Sequence, residues 1–481
     1  MGYIAVLLNA WLTKPELEFC IKEAGCRALF LDGERLHSLG GKDGKGLFDS
    51  LKPKGPLEHL IPIRCNTSHL VSTISVIPYE KLLNPTHPHN LPPVDVTPFD
   101  SAQILFSSGT TGRPKGVLQS HIGWTQHTKS GRYMQLRAAV RNGIDIPATA
   151  PGTVPPQMVQ MLPVPLFHVT GLGISLLAAD SGSKLIMTNT WDASAAISII
   201  QLEGVNVFAG VPTMALQMLS APNFSPEKLG SLLSLTYAGG PAPPALRERV
   251  KSTFKKNGVG EPSNGYGASE ALGIASISGQ DYAERPTSIG KPLPCYKVEI
   301  RSPEGKVLPP GAVGEVWIKS VGVAKGYWNN EKATKESFQG GWYATGAQGR
   351  MDSDGFLYLL DRAKDMLIRG GENVYCSEVE AALLSHPNVI EVSVFGIPHR
   401  TLNEDVGAAV RLHPSATKVT AATLRAHCAE RIAKFKVPAY IAFWEGPLPA
   451  TATGKILKRE VKEIVGKAAA RELGGEFAAK L

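Results

Sequence analysis

Short apolar runs recur along the chain, each too brief for a helix and each followed by a stretch where apolar residues return every three or four positions. "AQILFSS" (102–108) and "VNVFAGVP" (205–212) are of this kind. Apolar runs of four to eight residues bounded by turn residues read as buried strands, and their alternation with helical-period segments predicts an α/β architecture with largely parallel sheets. "YIAVLLNAWL" (3–12) has no basic residues before it and no small-residue cleavage pattern after it, so it reads as a buried strand. Two Pro-rich stretches, "LNPTHPHNLPP" (83–93) and "IPATAPGTVPP" (146–156), read as irregular connections.

The last quarter changes rhythm. Ser377 and Glu380 stand at capping-box spacing before a short helix that Pro387 ends, because proline cannot continue a helix and biases the preceding residue away from it. "VIEVSVFGIP" (389–398) and "VGAAVRLHP" (406–414) then read as strands, Leu424, Cys428, Ile432 and Phe435 as one helical stripe, and "YIAFWE" (440–445) as a final strand. Helix, strand, strand, helix, strand makes a small α+β unit. Its boundary falls near "LLDRAKDMLIRGGEN" (359–373), which divides the chain into domains 1–361 and 362–481.

Composition narrows the class. The chain has 481 residues, 43% of them apolar, enough for several cores and for two or three domains. No stretch approaches the ~20 apolar residues of a membrane span. The formal charge of +8 is spread over Lys and Arg that alternate with acids, without the basic clusters and interleaved aromatics of a nucleic-acid surface. A modest positive bias suits anionic substrates. Six cysteines (20, 26, 65, 295, 376 and 428) show no C-x-x-C and no histidine at zinc spacing, and read as buried thiols of a reducing compartment.

The chemistry begins at "SSGTTGRPKG" (107–116), where hydroxyls, glycines and two cations follow an apolar strand. Ser, Thr and Gly in succession offer backbone N–H groups, hydroxyl donors and no bulk, and Lys115 adds a point charge, so the inventory fits a phosphate chain. Such a cluster alone is ordinarily a surface turn. It is not a Walker A loop, because counting from Gly109 puts Pro114 where the second glycine belongs. A strand-linked G-x-G-x-x-G is absent too, which leaves a dinucleotide fold unsupported.

The string resembles the phosphate loop of the adenylate-forming enzymes, a family that includes acyl-CoA synthetases, luciferases and the adenylation domains of peptide synthetases. "LPVPLFHVTG" (162–171), "YAGGPAPP" (237–244), "NGYGASE" (264–270), "GWYATGAQGRMDSDG" (341–355), "DRAKDMLIRGGENVYCSEVE" (361–380) and "PATATGKILKRE" (449–460) follow in that family's order. The chain is most similar to its acyl-CoA ligases of fatty or related carboxylic acids. The resemblance implies a large multi-subdomain α/β domain with parallel sheets, followed by a small mobile α+β C-terminal domain. It implies ATP, Mg²⁺ and CoA as cofactor and cosubstrates: a carboxylate attacks the α-phosphorus to give acyl-AMP and pyrophosphate, and the CoA thiol then attacks the activated carbonyl.

Residue by residue, the resemblance places Ser107, Ser108, Gly109, Thr110, Thr111, Gly112 and Lys115 around the phosphates. Gly240 binds the nucleotide, Gly265, Tyr266 and Gly267 form the adenine wall, and Ser269, where relatives usually carry Thr, reaches the α-phosphate. Glu270 holds Mg²⁺, whose charge neutralises phosphate oxygens. Lys455 enters the site and stabilises the transition state of adenylation; losing such a donor typically costs on the order of 10²–10³ in rate. Arg362 contacts ribose and Lys364 is the pivot about which the small domain turns, bringing Gly370 and Gly371 in place of Lys455 to line the pantetheine entry. His168 and Gly239 line the acyl pocket. Amino-acid-activating relatives carry an Asp near "LFHVTG" for the α-amino group, and its absence favours an acid without an amine.

Several positions depart from the pattern. Ala347 replaces the Asp expected after Thr-Gly, a carboxylate that accepts bonds from the ribose hydroxyls; hydrogen bonds to a charged group contribute about 1.5–3 kcal/mol, so nucleotide affinity falls roughly 10- to 150-fold unless Gln348 or Arg362 compensates. Ala450 and Thr451 stand where relatives often carry Arg or Lys followed by Asn or Thr. "GYIAVLLNAWLTKPELEFCIKEAG" (2–25) resembles an internal segment of the family, so a stretch that completes the first subdomain is expected to be missing, with apolar surface exposed in consequence. Ala479, Lys480 and Leu481 are a conservative variant of the S-K-L address, which implies a peroxisomal import receptor as partner and a peroxisomal location, or a cytoplasmic one without it. The leading expectation is an acyl-CoA ligase. The alternatives are an enzyme that loads an acyl carrier protein, and a degenerate member without activity.

Overall fold

A computed structural model of the chain describes residues 2–40, 57–65, 75–83, 94–107, 114–141, 156–238, 244–254, 262–362, 365–370, 372–399, 401–414, 416, 418–451 and 454–472. Most of the two Pro-rich stretches lies outside them. Five sheets form among these residues. The largest has seven strands in the order 291–292, 272–277, 263–268, 234–238, 207–210, 159–162, 184–187; the five from Ser263–Ala268 outward are parallel and the other two antiparallel. Met161, Phe208, Leu235 and Tyr237 from its strands are fully buried against Ile197 and Ile200, Met214 and Met218, and Leu246 and Val250 from three helices. Strands that run as near-continuous apolar stretches and connect through helices are what parallel sheets require.

Three-stranded parallel pairing joins Ala28–Asp32, His59–Ile63 and Ser75–Val76. A four-stranded sheet orders Ala5–Leu7, Ser101–Ser107, Lys115–Ser120 and Gly326–Tyr327. The 3–12 segment thus contributes a strand of three residues, half-exposed at the edge of that sheet and not buried, because its partner Ser101–Ser107 covers one side only. A further sheet, built on Gly314–Lys319 and Trp342–Met351, is antiparallel throughout. Its alternating residues face a core of Ile300, Val316, Ile318, Tyr343 and Leu357. The periodicity does not separate this sheet from its parallel neighbours, since a hairpin partner is chosen by turn geometry as well as by pattern.

The C-terminal part forms its own sheet from Leu367–Arg369, Glu372–Val374, Val389–His399, Asn403–Leu412 and Tyr440–Phe443, with helices Cys376–Leu384, Ala421–Ala429 and Lys458–Glu472 on it. Leu424, Cys428, Ile432 and Phe435 share one core, although the helix ends at Ala429 and the last two reach that core from the following turn. The capping box does not form. Tyr375 is the N-cap, Ser377 Oγ donates to the Leu360 carbonyl, and Glu380 Oε1 accepts from Val394 N at 2.9 Å and pairs with Lys458 at 2.9 Å. The two residues have the right spacing two positions too late, and partners from neighbouring elements claim them. Cys20, Cys376 and Cys428 are buried and Cys26 and Cys65 half-buried, but Cys295 is exposed, in a turn where its φ is +69°. Burial pushes the thiols of Cys20 and Cys428 up, to about 12 and about 11, and keeps them protonated.

Candidate functional site

One apolar cluster underlies the site. Leu105 of strand Ser101–Ser107, Trp124 of helix His121–Arg141, Val169 at the start of helix Val169–Ser181 and Leu272 after the "GASE" turn pack together. Three of them stand next to residues that the resemblance singled out: Ser107 ends the first strand, His168 precedes Val169, and Ser269 and Glu270 precede Leu272.

The turn that bears Ser269 and Glu270 is held from every side. Ala271 N donates to Ala268 O at 3.1 Å and closes it. The Ser269 carbonyl accepts from Gln119 Nε2 at 2.7 Å, the Glu270 carbonyl from Ala324 N at 2.7 Å, and the Ala271 carbonyl from the Tyr296 hydroxyl at 2.6 Å. Leu272 then takes a φ of +55°, in the left-handed region. A non-glycine residue there costs about 1–3 kcal/mol and persists only where the surroundings over-determine it. Here three clamped carbonyls and a buried leucine side chain do so. Gly267 is required opposite, since a Cβ would lie 2.3 Å from the Leu272 carbonyl oxygen.

Glu270 and Lys115 meet through a residue that the motifs did not single out. The Tyr327 hydroxyl donates to Glu270 Oε1 at 2.9 Å, and Lys115 Nζ lies 4.9 Å from the centre of the same ring. Burial first, and the adjacent Glu270 carboxylate second, raise the phenol above its ordinary value and keep its proton on oxygen. Among the described residues Glu270 Oε2 accepts no hydrogen bond, and no cluster of three metal-binding side chains exists. A carboxylate oxygen without a partner among the described residues, close to the strand that starts at Lys115, fits Mg²⁺, which is commonly held by one or two carboxylates with phosphates and water and not by a protein cage.

His168 caps helix Val169–Ser181, its Nδ1 accepting from Thr170 N at 3.3 Å, so the ring proton of the neutral form sits on Nε2. Burial, then the nearby Lys455 ammonium, pull its pKa down to about 4. Gly454, at φ +76°, lets the lysine loop lie against the strand-to-helix junction of the large sheet: a Cβ there would be 3.2 Å from both Val211 Cγ2 and Thr213 Oγ1. The loop is self-closed, with Thr451 N on the Lys455 carbonyl at 2.7 Å and Lys455 N on Thr451 Oγ1 at 3.1 Å. The Thr451 departure thus supplies the acceptor that shapes this loop.

Ala347 is buried in strand Trp342–Met351, directly opposite Arg362, and Gln348 is opposite Asp361. Gly265, Tyr266 and Gly267 lie on strand Ser263–Ala268, where the register shifts between Tyr266 and Gly267; Tyr266 is partly buried against the antiparallel-sheet core. Gly370, at φ +59°, turns between two short strands, its N–H on the Leu402 carbonyl at 2.8 Å. Ser108, Gly109, Thr110, Thr111, Gly112, Gly239, Gly240, Lys364, Gly371, Ala479, Lys480 and Leu481 lie outside the described residues. Gln119, Tyr296, Ala324 and Tyr327 act at this site by long-range contact, and no local motif marks them.

The profile of the family described as AMP-binding enzyme matches residues 1–328, and that of the AMP-binding enzyme C-terminal domain matches 378–455. The chain belongs to this family. It is 34% identical over 97% of its length to a 2-succinylbenzoate–CoA ligase of Geobacillus kaustophilus, covering 84% of that protein. A long-chain-fatty-acid–CoA ligase of Mycobacterium tuberculosis is 29% identical over 96% of the chain and 83% of the relative. Among solved structures, an anthranilate CoA ligase in complex with anthranoyl-AMP superposes with a TM-score of 0.80 at 28% identity, over 98% of this chain and 84% of that one. The o-succinylbenzoate CoA synthetase of Bacillus subtilis with its acyl-adenylate gives 0.72 at 28% identity, over 95% and 82%. This AMP-binding enzyme is an AMP-forming acid–thiol ligase of the acyl-CoA synthetase branch, with ATP, Mg²⁺ and CoA as its partners in reaction. No helix among its described residues is long and apolar enough to cross a membrane.

The two half-buried histidines near the site predict an acid-side instability. His127, whose Nδ1 accepts from Gly273 N at 3.3 Å, is also pulled down to about 4 by burial. An unfolded histidine protonates near pH 6.5, so below that pH the unfolded chain binds protons that the folded one refuses until about pH 4, and stability falls across that window. His127→Asn should flatten the fall, measured as denaturant midpoints at about pH 7 and about pH 5; an unaltered slope would contradict the burial of this imidazole.

Proposed function

We propose that this ligase activates a fatty or related lipophilic carboxylic acid without an α-amine, first as its adenylate and then as its CoA thioester. The observation that carries the reading is that Lys115 and Glu270 meet on Tyr327 at one clamped turn, while the Lys455 loop lies against Val211 and Thr213 and its ammonium acts on His168. The segment Leu162–Gly171 presents a neutral His168 and no carboxylate, a surface suited to an uncharged acyl chain. The likeness to a long-chain-fatty-acid–CoA ligase supports the same class, while the likeness to 2-succinylbenzoate and anthranilate CoA ligases extends it to aryl acids.

In this reading Lys115 and the loop 107–112 grip the β- and γ-phosphates, and Ser269 donates to an α-phosphate oxygen. Bound at the open oxygen of Glu270, Mg²⁺ would neutralise charge on the phosphate chain. Lys455 donates to the oxygens on which negative charge grows as the substrate carboxylate attacks the α-phosphorus, the kind of fixed donor that contributes most in a water-poor site. Gly265, Tyr266 and Gly267 wall the adenine, Gly240 binds the nucleotide, Gly239 borders the acyl chain, and Arg362 contacts the ribose. The domains divide at 361/362. Turning about Lys364 would withdraw Lys455 and bring Gly370 and Gly371 to the thiol entry, so one small unit serves two half-reactions.

Acid-dependent exchange of labelled pyrophosphate into ATP tests the function, with octanoate, palmitate and an arylpropenoate as acids. Exchange with at least one of them is expected, together with thioester formation when CoA is added. Lys455→Ala should slow exchange on the order of 10²–10³-fold while leaving thioester formation from synthetic acyl-AMP nearly unchanged. Absence of exchange with every acid at saturating ATP would refute the reading in favour of a degenerate member, and transfer to a phosphopantetheinylated carrier but not to CoA would favour the carrier-loading alternative.

Ala347→Asp should lower the KM for ATP by about 10-fold or more, since it restores an acceptor for the ribose hydroxyls on the strand facing Arg362. Equal ATP dependence in both proteins would mean that the ribose is held elsewhere. For Ala479, Lys480 and Leu481 we propose a peroxisomal address read at a free C-terminus. A fluorescent protein bearing residues 470–481 should become punctate in eukaryotic cells; a diffuse signal would remove that location.

A further inference from the structure

We propose that Tyr327 is a positioning residue for adenylation, fixing the Glu270 carboxylate and the Lys115 ammonium relative to one another across a single phenol. The inference rests on the ligase reading and deepens it. Tyr327 lies on the two-residue strand Gly326–Tyr327, which pairs antiparallel with Lys115–Ser120, Tyr327 facing Val117 across the ladder. That pairing sets the ring two residues from the point where Lys115 leaves the strand. The hydroxyl meets Glu270 Oε1 at 2.9 Å, and the ring centre lies 4.9 Å from Lys115 Nζ. One side chain thus donates a hydrogen bond to the anion and offers its π-face to the cation.

The ring has little freedom to do otherwise. Tyr327 N donates to Thr334 Oγ1 at 2.9 Å, and the next residue, Trp328, donates its N–H to the Gly116 carbonyl at 2.7 Å and its indole N–H to the Glu23 carbonyl at 3.1 Å. Phe338 meets the ring edge-on, 5.5 Å between centres at 70°. Glu270, by contrast, is a long carboxylate at the tip of a turn whose backbone is clamped but whose side chain is held, among the described residues, by this one bond. Without it the carboxylate would sample rotamers that carry the open Oε2 away from the phosphate strand. A tyrosine that binds one oxygen only leaves the other for a cation.

The test uses the full chain, Mn²⁺ as a spectroscopic stand-in for Mg²⁺, and an α,β-methylene ATP analogue that cannot react. Electron paramagnetic resonance reads the Mn²⁺ affinity of the protein–analogue complex, and fluorescence titration without metal reads the analogue alone. Tyr327→Phe, which keeps the ring and loses the hydroxyl, should weaken Mn²⁺ binding about 10-fold and leave metal-free analogue binding unchanged. Tyr327→Leu, which also removes the π-face, should weaken the metal-free binding as well. Combined with Glu270→Gln, Tyr327→Phe should cause no further loss, because the two act as one unit. Thermal melts confirm that each variant is folded. A folded Tyr327→Phe with unchanged Mn²⁺ affinity, or a loss that adds fully to that of Glu270→Gln, overturns the inference and leaves the ligase reading standing. A parent protein that binds no analogue overturns both.

Discussion

The site depends on a turn that its own sequence disfavours. Leu272 holds a left-handed backbone that glycine would adopt at no cost, and the conformation survives because Gln119, Ala324 and Tyr296 each take one of three consecutive carbonyls while the leucine side chain is buried with Leu105, Trp124 and Val169. Strain of about 1–3 kcal/mol is offset by burying one leucine, about 1.5–3 kcal/mol, before the hydrogen bonds are counted. The gain is geometric. Ser269 and Glu270 stand at the tip of an element that has one available shape, so the donors and acceptors they present need no rearrangement when a nucleotide arrives.

The same cluster explains how distant segments of the chain agree on one location. Leu105, Trp124, Val169 and Leu272 belong to four elements, and Leu105, Val169 and Leu272 each lie within a few residues of a group that the proposed chemistry uses. Apolar packing at the floor therefore sets the spacing of polar groups above it, which is how a preorganised site is built on a rigid scaffold and not on its loops. Lys455 is the exception. It arrives in a loop of the C-terminal unit, where Gly454 lies close to Val211 and Thr213 at the strand-to-helix junction of the large sheet.

Much of this was legible from local pattern. The strand ends at Ser107, the "GASE" turn and the lysine loop were found because adenylate chemistry leaves contiguous motifs, and the C-terminal strands because their apolar runs lie between clear turn residues. What escaped did so for a physical reason. Tyr327, Gln119 and Tyr296 act across separations of 57, 150 and 25 residues, where only the fold brings donor and acceptor together. Ser377 and Glu380 misled for the converse reason, since a local spacing suggested a cap and long-range partners, the Leu360 carbonyl, Val394 N and Lys458, took both side chains. The exposed Cys295 shows that thiol burial follows position in a turn and not residue type.

Ala347 bears on how such a site tolerates loss. The missing carboxylate stood, by resemblance, for ribose recognition alone, whereas the clamped turn, Lys115 and Lys455 serve the phosphorus at which bonds change. Interactions made equally in ground and transition states set affinity, and those strengthened in the transition state set rate. Replacing the first kind with alanine on a buried strand removes a contact without disturbing the second, because Ala347 keeps its N–H on Thr345 Oγ1 and its place opposite Arg362. The strand retains its shape, so on the proposed reading the change bears on how much nucleotide the enzyme needs and not on the chemistry it performs on it.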